Sequence, residues 1–270
     1  MCSEAVAAVR PGRAPVFWTV MLVLFVSLPS CTVKEDRSLC PCVFSLVVHP
    51  GECPYAEALL ILEDGAGKRT RDTLRWDGGP VRCQKILSRG RVRACLVAPP
   101  QAVSDSAGSI TIPEGAQCPA VWTDYGDWTL EEESLTDTLS LCKNYCRLTL
   151  QVQDVQDESY PFILSVRGGI CGYLPDGGLA EGDFRSGVLP GGGRASVWLP
   201  RQRDASLKLD ILDRENVLRT FSLGVFLEEQ GFDWEARDLQ DALVRVDYAR
   251  TTLRLQPEAW LEVHSEETVI

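Results

Sequence analysis

The strongest constraint on the fold is a period of two. In Cys146-Arg147-Leu148-Thr149-Leu150-Gln151-Val152 the even-numbered positions are apolar and the odd-numbered ones polar. Successive side chains of an extended strand point to opposite faces, so this segment predicts a strand with one buried and one wet face. The alternation recurs at 136–141, and most of the chain after Arg37 consists of short Val-, Leu-, Ile- and Thr-rich runs broken by Gly, Pro and Asp. These runs predict strands at 43–48, 58–62, 69–76, 81–87, 91–97, 109–112 and 135–141. A second set follows at 146–152, 162–166, 195–199, 207–212, 218–223, 243–248 and 251–255. Helical expectations are confined to 225–230, closed by Gly231, and 236–239.

Many short strands at even spacing predict an all-β chain of sandwich type. With 270 residues the length fits two domains once an N-terminal segment is set aside. A boundary near 141–145 divides the body into an N-terminal sandwich over 43–142 and a C-terminal sandwich over 143–270. The glycine-dense stretch from Gly168 to Gly193 predicts turns with little core, a long excursion from the second sandwich. The segment Trp122-Thr123-Asp124-Tyr125-Gly126-Asp127-Trp128 reads as a loop whose aromatics cap a sandwich end. Its mixture of rings and carboxylates also suits stacking on sugars or binding calcium. Glu131-Glu132-Glu133 reads as a solvated acidic run.

The N-terminus specifies the compartment. Arg10 and Arg13 precede an apolar run of about a dozen residues, Val16 to Leu28, where roughly 20 would be needed to cross a bilayer as a helix. This pattern predicts a cleaved secretory signal over 1–30. The run ends in Leu28-Pro29-Ser30-Cys31, which resembles a lipobox, with Pro29 departing from its usual small or aliphatic residue. Cys31 is therefore the expected lipidation site, its sulfur holding diacylglycerol as a thioether. Two or more acyl chains, at roughly 0.8 kcal/mol per buried methylene, give a stable anchor where one chain is marginal. Residues 31–42 then form a tether. Lys34-Glu35-Asp36 directly behind Cys31 is similar to the acidic export signal that sends Bacteroidota lipoproteins to the cell surface.

The block from Cys31 through Lys34-Glu35-Asp36-Arg37 to Cys40-Pro41-Cys42 resembles the mature N-terminus of the fimbrium anchoring subunits of Bacteroidota, the FimB-like and minor-fimbria anchor family. Lys143-Asn144-Tyr145-Cys146-Arg147-Leu148-Thr149 resembles that family's opening strand of the second domain. The tail, through Phe221-Ser222-Leu223-Gly224, Gly231-Phe232-Asp233-Trp234, Asp238-Leu239, Val246-Asp247-Tyr248 and Trp260, is similar to its closing segment. The resemblance implies two tandem transthyretin-like (Greek-key) β-sandwiches and a lipid-held position in the outer membrane at the base of a fimbrial rod. It also implies fimbrillin-like partner subunits joined by strand exchange. Such a joint is β-augmentation: a foreign strand supplies hydrogen bonds and alternating side chains, and four buried side chains at about 2 kcal/mol each give on the order of 8 kcal/mol before ordering costs.

Apart from Cys2 and Cys31, the cysteines are Cys40, Cys42, Cys53, Cys83, Cys95, Cys118, Cys142, Cys146 and Cys171. An exported chain uses such residues for disulfides, with connectivity open and at least one thiol left over from the odd count. Cys40, Cys42, His49 and Cys53 have the chemistry of a zinc set, but export favours disulfides, and no metal or other cofactor is expected. His49 and His264 are the only histidines, and neither sits in a recognisable catalytic setting. With no phosphate loop or dinucleotide fingerprint either, no catalytic residue is assigned and the chain is expected not to be an enzyme. A net charge of −11 argues against nucleic acid. Two functions remain: a structural anchoring subunit, or a surface lipoprotein that binds glycan or another ligand through a loop such as 122–128.

Overall fold

The structure is a computed structural model that describes residues 40–152, 162–190, 193–247 and 252–256. In the first half, β1 (Cys42–His49), β4 (Val81–Leu87) and β8 (Ser134–Ser140) form a sheet in the order β4-β1-β8. Facing it are β2 (Glu57–Glu63), β3 (Arg69–Arg75), β5 (Gly90–Ala98), β7 (Trp122–Leu130) and β9 (Cys142–Lys143), in the order β3-β2-β5-β7-β9. In the second half, β10 (Tyr145–Val152), β13 (Arg194–Pro200), β16 (Ala242–Asp247) and β17 (Thr252–Gln256) run β13-β10-β16-β17. Their partner sheet of β11 (Ile163–Tyr173), β12 (Leu179–Val188), β14 (Lys208–Asp213) and β15 (Asn216–Phe221) runs β12-β11-β14-β15. The chain is all-β, two tandem transthyretin-like sandwiches, as its periodicity and resemblance predict.

The halves repeat each other strand for strand. The order β3-β2-β5-β7 matches β12-β11-β14-β15, and β4-β1-β8 matches β13-β10-β16. In both, the first strand pairs antiparallel with the fourth and parallel with the last of the matched set. The two differ at their flanks: β9 extends the first sandwich beyond β7, and β17, antiparallel to β16, extends the second beyond β16. The equivalent flank of β8 has no strand beside it among the described residues.

Ala58-Leu59-Leu60-Ile61-Leu62 is apolar throughout, a pattern that suits a strand covered on both faces. Ala58, Leu60 and Leu62 face the first sandwich's own core, with Phe44, Leu46 and Leu96. Leu59 and Ile61, together with Cys95 and Val97 of β5, face the other way and share one core with Leu148, Leu164, Tyr173 and Val197 of the second sandwich. The short strand β6 (Ile110–Thr111) adds a backbone link, pairing with Gly172 and Tyr173 of β11. A Cβ at Gly172 would stand 2.0 Å from the Ile110 carbonyl oxygen, so only glycine permits that approach.

Four sequence expectations need correction. The stretch from Gly168 to Gly193 is no excursion: most of it forms the ends of the β11–β12 hairpin, with Ile170, Tyr173 and Phe184 buried. Its glycines make room for neighbours where turns were expected. The segment 122–128 is not a loop but most of β7. Its Trp128 ring packs against Phe44, tilted by 54° with centroids 5.0 Å apart, and lies over Gly126, where a Cβ would fall 1.9 Å from the indole. Trp122 is only 7% exposed, so its ring presents no stacking face to a sugar. The helix α1 (Leu223–Glu229) forms, and Gly231 at φ +84° closes it as Phe232 N–H reaches back 2.9 Å to the Leu227 carbonyl. No helix forms at 236–239, where carbonyls of the segment turn to Arg201. The nine candidate disulfide cysteines, of which the odd count left at least one unpaired, all stand as free thiols in the structure. Cys42, Cys95, Cys118 and Cys146 are buried and act as small apolar side chains on separate strands or loops.

The shared core has a thermodynamic consequence. Ile61→Ala is expected to cost about 2–5 kcal/mol, and scanning calorimetry is expected to show the two sandwiches melting in one transition in both wild type and variant. Two separated transitions would contradict the shared core.

Candidate functional site

The first sandwich has two mouths, where the edges of its sheets face each other, and they are built differently. At one, Asp72 of β3 and Lys85 of β4 meet at 2.7 Å. Inward charge is a usual way to blunt sheet edges, and here the two signs cancel. The Asp72 carboxylate raises the Lys85 ammonium above its ordinary pKa.

At the other mouth lies β8. The Glu133 carbonyl and the Leu141 N–H bond β1 at Val43 and His49, at 2.8 and 3.0 Å. By strand alternation the odd-numbered residues direct their backbone groups toward β1, which leaves those of Ser134, Thr136, Thr138 and Ser140 facing the open flank. The side chains of Leu135 and Leu139 face the core, and between them stands Asp137. Asp137 accepts from Trp128 Nε1 at 2.5 Å and from Thr138 N–H at 2.7 Å. Asp124 of β7 plays a similar part, accepting from Ser140 N–H at 2.6 Å and from Tyr125 N–H at 2.9 Å. Burial raises the Asp124 carboxyl above its ordinary pKa, against the pull of those two N–H groups and of the nearby Arg237. Two N–H groups of the open flank are thus covered by carboxylates of the protein itself. Among the described residues neither Asp124 nor Asp137 is in a salt bridge.

A cavity of about 490 Å³ opens beside this flank, lined among others by His49, Trp122, Thr138, Ser140, Cys142 and Arg237. Trp122 contributes a buried indole N–H without an acceptor. The far wall is the segment 232–241, and a polar hub fixes it. Arg201 donates from Nε to Asn144 Oδ1 at 2.7 Å, from one terminal nitrogen to the carbonyls of Trp234 and Ala236, and from the other to that of Arg237. Asn144 in turn donates to Thr123 Oγ1 at 3.0 Å, and its carbonyl accepts from Tyr173 Oη. Asp238 accepts from Lys143 N–H at 2.7 Å, and Arg237 Nε donates to Cys142 Sγ at 2.9 Å. Burial raises the Cys142 thiol above its ordinary pKa despite Arg237.

Of the sequence-predicted site residues, Cys31, Lys34, Glu35 and Asp36 lie outside the described residues, as do His264, Trp260 and Tyr248. Cys142 lies at the cavity, Cys42 and His49 stand at opposite ends of β1, and Cys40 is exposed. Asp137 was not singled out from the sequence, and Asp124 only as a carboxylate of the 122–128 segment, not as a partner of β8. A signal existed for Asp137, which interrupts the apolar row of Leu135 and Leu139 in an otherwise regular alternation.

No family model matches the chain, and no curated protein matches it by sequence. Solved structures do match. The fimbrial anchor protein Mfa2 from Porphyromonas gingivalis is 12% identical with a TM-score of 0.58, over 80% of this chain and 95% of that one. A candidate adhesin from Bacteroides ovatus is 10% identical with a TM-score of 0.59, over 82% and 94%. A candidate polysaccharide-binding protein from Bacteroides thetaiotaomicron is 11% identical with a TM-score of 0.59, over 80% and 96%. At such identities the likeness is one of fold, and it agrees with the resemblance to Bacteroidota fimbrium anchoring subunits carried by residues 31–42.

The hub is testable. Arg201→Lys keeps the charge but loses the planar fork that reaches several acceptors at once. It is expected to lower unfolding stability by about 2–3 kcal/mol in urea titrations, because buried acceptors lose their donors.

Proposed function

We propose that this protein is a structural lipoprotein of the cell surface, held in the outer membrane by lipid on Cys31, that anchors a fimbrial rod by accepting an extended strand of the next subunit. The observation that carries the reading is the mismatch between the two sandwiches. They have the same strand order, but the second fills the flank of its last matched strand with β17, while among the described residues no strand lies beside β8 on that flank. An edge strand with a flank free of other strands among the described residues, and a cavity of mixed polar and apolar lining beside it, is the kind of receptor that β-augmentation needs. The sandwich fold held in common with Mfa2 supports the reading, as does the Cys31–Cys42 block. So do the features already described at the edge, which include a buried indole N–H in want of an acceptor. The protein acts in this reading by binding and holding, with no catalytic step, no cofactor and no nucleic-acid partner.

Two substitutions separate the anchor from the joint. Cys31→Ala is expected to abolish metabolic labelling with palmitate and to shed the protein, with its bound subunits, into the medium. Fimbriae that stay on cells carrying this variant would rule out anchoring through Cys31. Thr136→Pro places a residue without N–H on the open flank, where proline is tolerated because no ladder bond is lost. Unfolding stability is expected to stay within about 1 kcal/mol of wild type, while crosslinking from intact cells no longer recovers fimbrillin-like subunits.

A further inference from the structure

The charge at the open flank points to the chemistry of the strand that fills it. This inference rests on the strand-accepting reading above and specifies the partner. The matched and filled flank in the second sandwich has an apolar inner row, Ala242, Val244 and Val246, all buried in the core. The strand beside it, β17, reads Thr-Leu-Arg-Leu-Gln, with one cation and no acid. On β8 the inner row is Leu135, Asp137 and Leu139, and Asp124 of β7 adds a second carboxylate at the same mouth. Exposed Glu131, Glu132 and Glu133 stand at the start of the strand.

Cations near the mouth are already engaged. Arg237 lies close enough to Asp124 for the two charges to favour each other, but its Nε is held by Cys142 Sγ and no salt bridge forms between them, while Arg89 donates to the carbonyls of Cys40 and Glu131. At the opposite mouth Lys85 neutralises Asp72. A plain apolar strand entering beside β8 would strip water from two carboxylates and return no opposite charge, which is costly.

We infer that the open edge of β8 selects a basic strand: an extended segment of another subunit, antiparallel to β8, with apolar residues alternating inward around a central lysine or arginine that meets Asp137 and Asp124. The incoming carbonyls take the N–H groups of Thr138 and Ser140 as the two carboxylates turn to the cation. Asp124 and Asp137 thus hold the edge satisfied until the right strand arrives, and they repel apolar or acidic strands.

The test uses the mature chain and three labelled peptides of the length of β8, Thr-Val-Thr-X-Thr-Val-Thr with X as Lys, Gln or Glu, followed by fluorescence anisotropy. The Lys peptide is expected to bind about tenfold tighter than the Glu peptide, the sum of two partly exposed ion pairs. That preference is expected to shrink as salt rises from 0.05 to 0.5 M, because the charges are screened. In the double variant Asp124→Asn with Asp137→Asn, shown folded by circular dichroism, the Lys preference over Gln is expected to fall within about twofold. Equal binding of the Lys and Glu peptides, or a Lys preference that survives the double substitution, overturns the charge inference and leaves strand acceptance standing. Failure of all three peptides to bind, as when a segment of this chain itself occupies the edge, overturns both.

Discussion

Double-sided burial of the β2–β5 layer is the constraint on which the rest of the structure depends. A sheet with one wet face lets neighbouring domains swivel, as modest polar interfaces between domains do. Here Leu60, Leu62 and Leu96 close the first core while Leu59, Ile61 and Val97 belong to the second. Rotating one sandwich on the other would expose the second set of side chains, each worth roughly 1.5–3 kcal/mol on burial. The β6–β11 pairing and the Arg201 hub add directional bonds to that apolar contact. The pair is therefore one rigid body built from a repeated unit.

Rigidity gives the edges their meaning. Because the repeat is so regular, β17 shows how the flank of such a sheet is filled, and among the described residues the same flank of β8 holds no strand. An unfilled edge in an otherwise well-covered sandwich is a liability for aggregation. The protein manages it with side chains where the other flank uses a strand: Asp137 on Thr138 N–H and Asp124 on Ser140 N–H. This solution is cheap to reverse, since a carboxylate can swing aside while a paired strand cannot.

Most strands and the all-β class were legible because alternation and turn residues act locally. What was not legible depended on distant partners. Asp124, Gly126 and Asp127 read as turn residues in β7, yet Gly126 is there to seat the Trp128 ring and Asp124 to hold a neighbouring strand. The glycines near 172 read as turns because nothing in the sequence reveals that Ile110, far away in the chain, packs its carbonyl against one of them. Ala236 to Leu239 has helical composition, but the carbonyls needed for a helix are taken by Arg201 from another strand's end. The open edge was hidden for a related reason: a core-facing and a groove-facing residue have the same apolar character, and only topology separates them.

The topology puts β8, the proposed joint, beside β1, the strand that follows the proposed tether in sequence. Cys31 precedes the start of β1 at Cys42 by eleven residues, a reach of at most about 40 Å even if fully extended. β1 is the parallel neighbour of β8, paired from Val43↔Ser134 to His49↔Ser140. A pull on a strand bound along β8 would pass through that ladder into β1 and from there along the chain to the lipid. Parallel strands pulled along their length load several ladder hydrogen bonds together, whereas pulling across a sheet edge opens them one at a time. An anchor with its receptor elsewhere, on β15 for instance, would carry the same load through the contact between the two sandwiches. Placing both attachments on β1 and β8 keeps the tension within a single sheet and leaves the shared core unstrained.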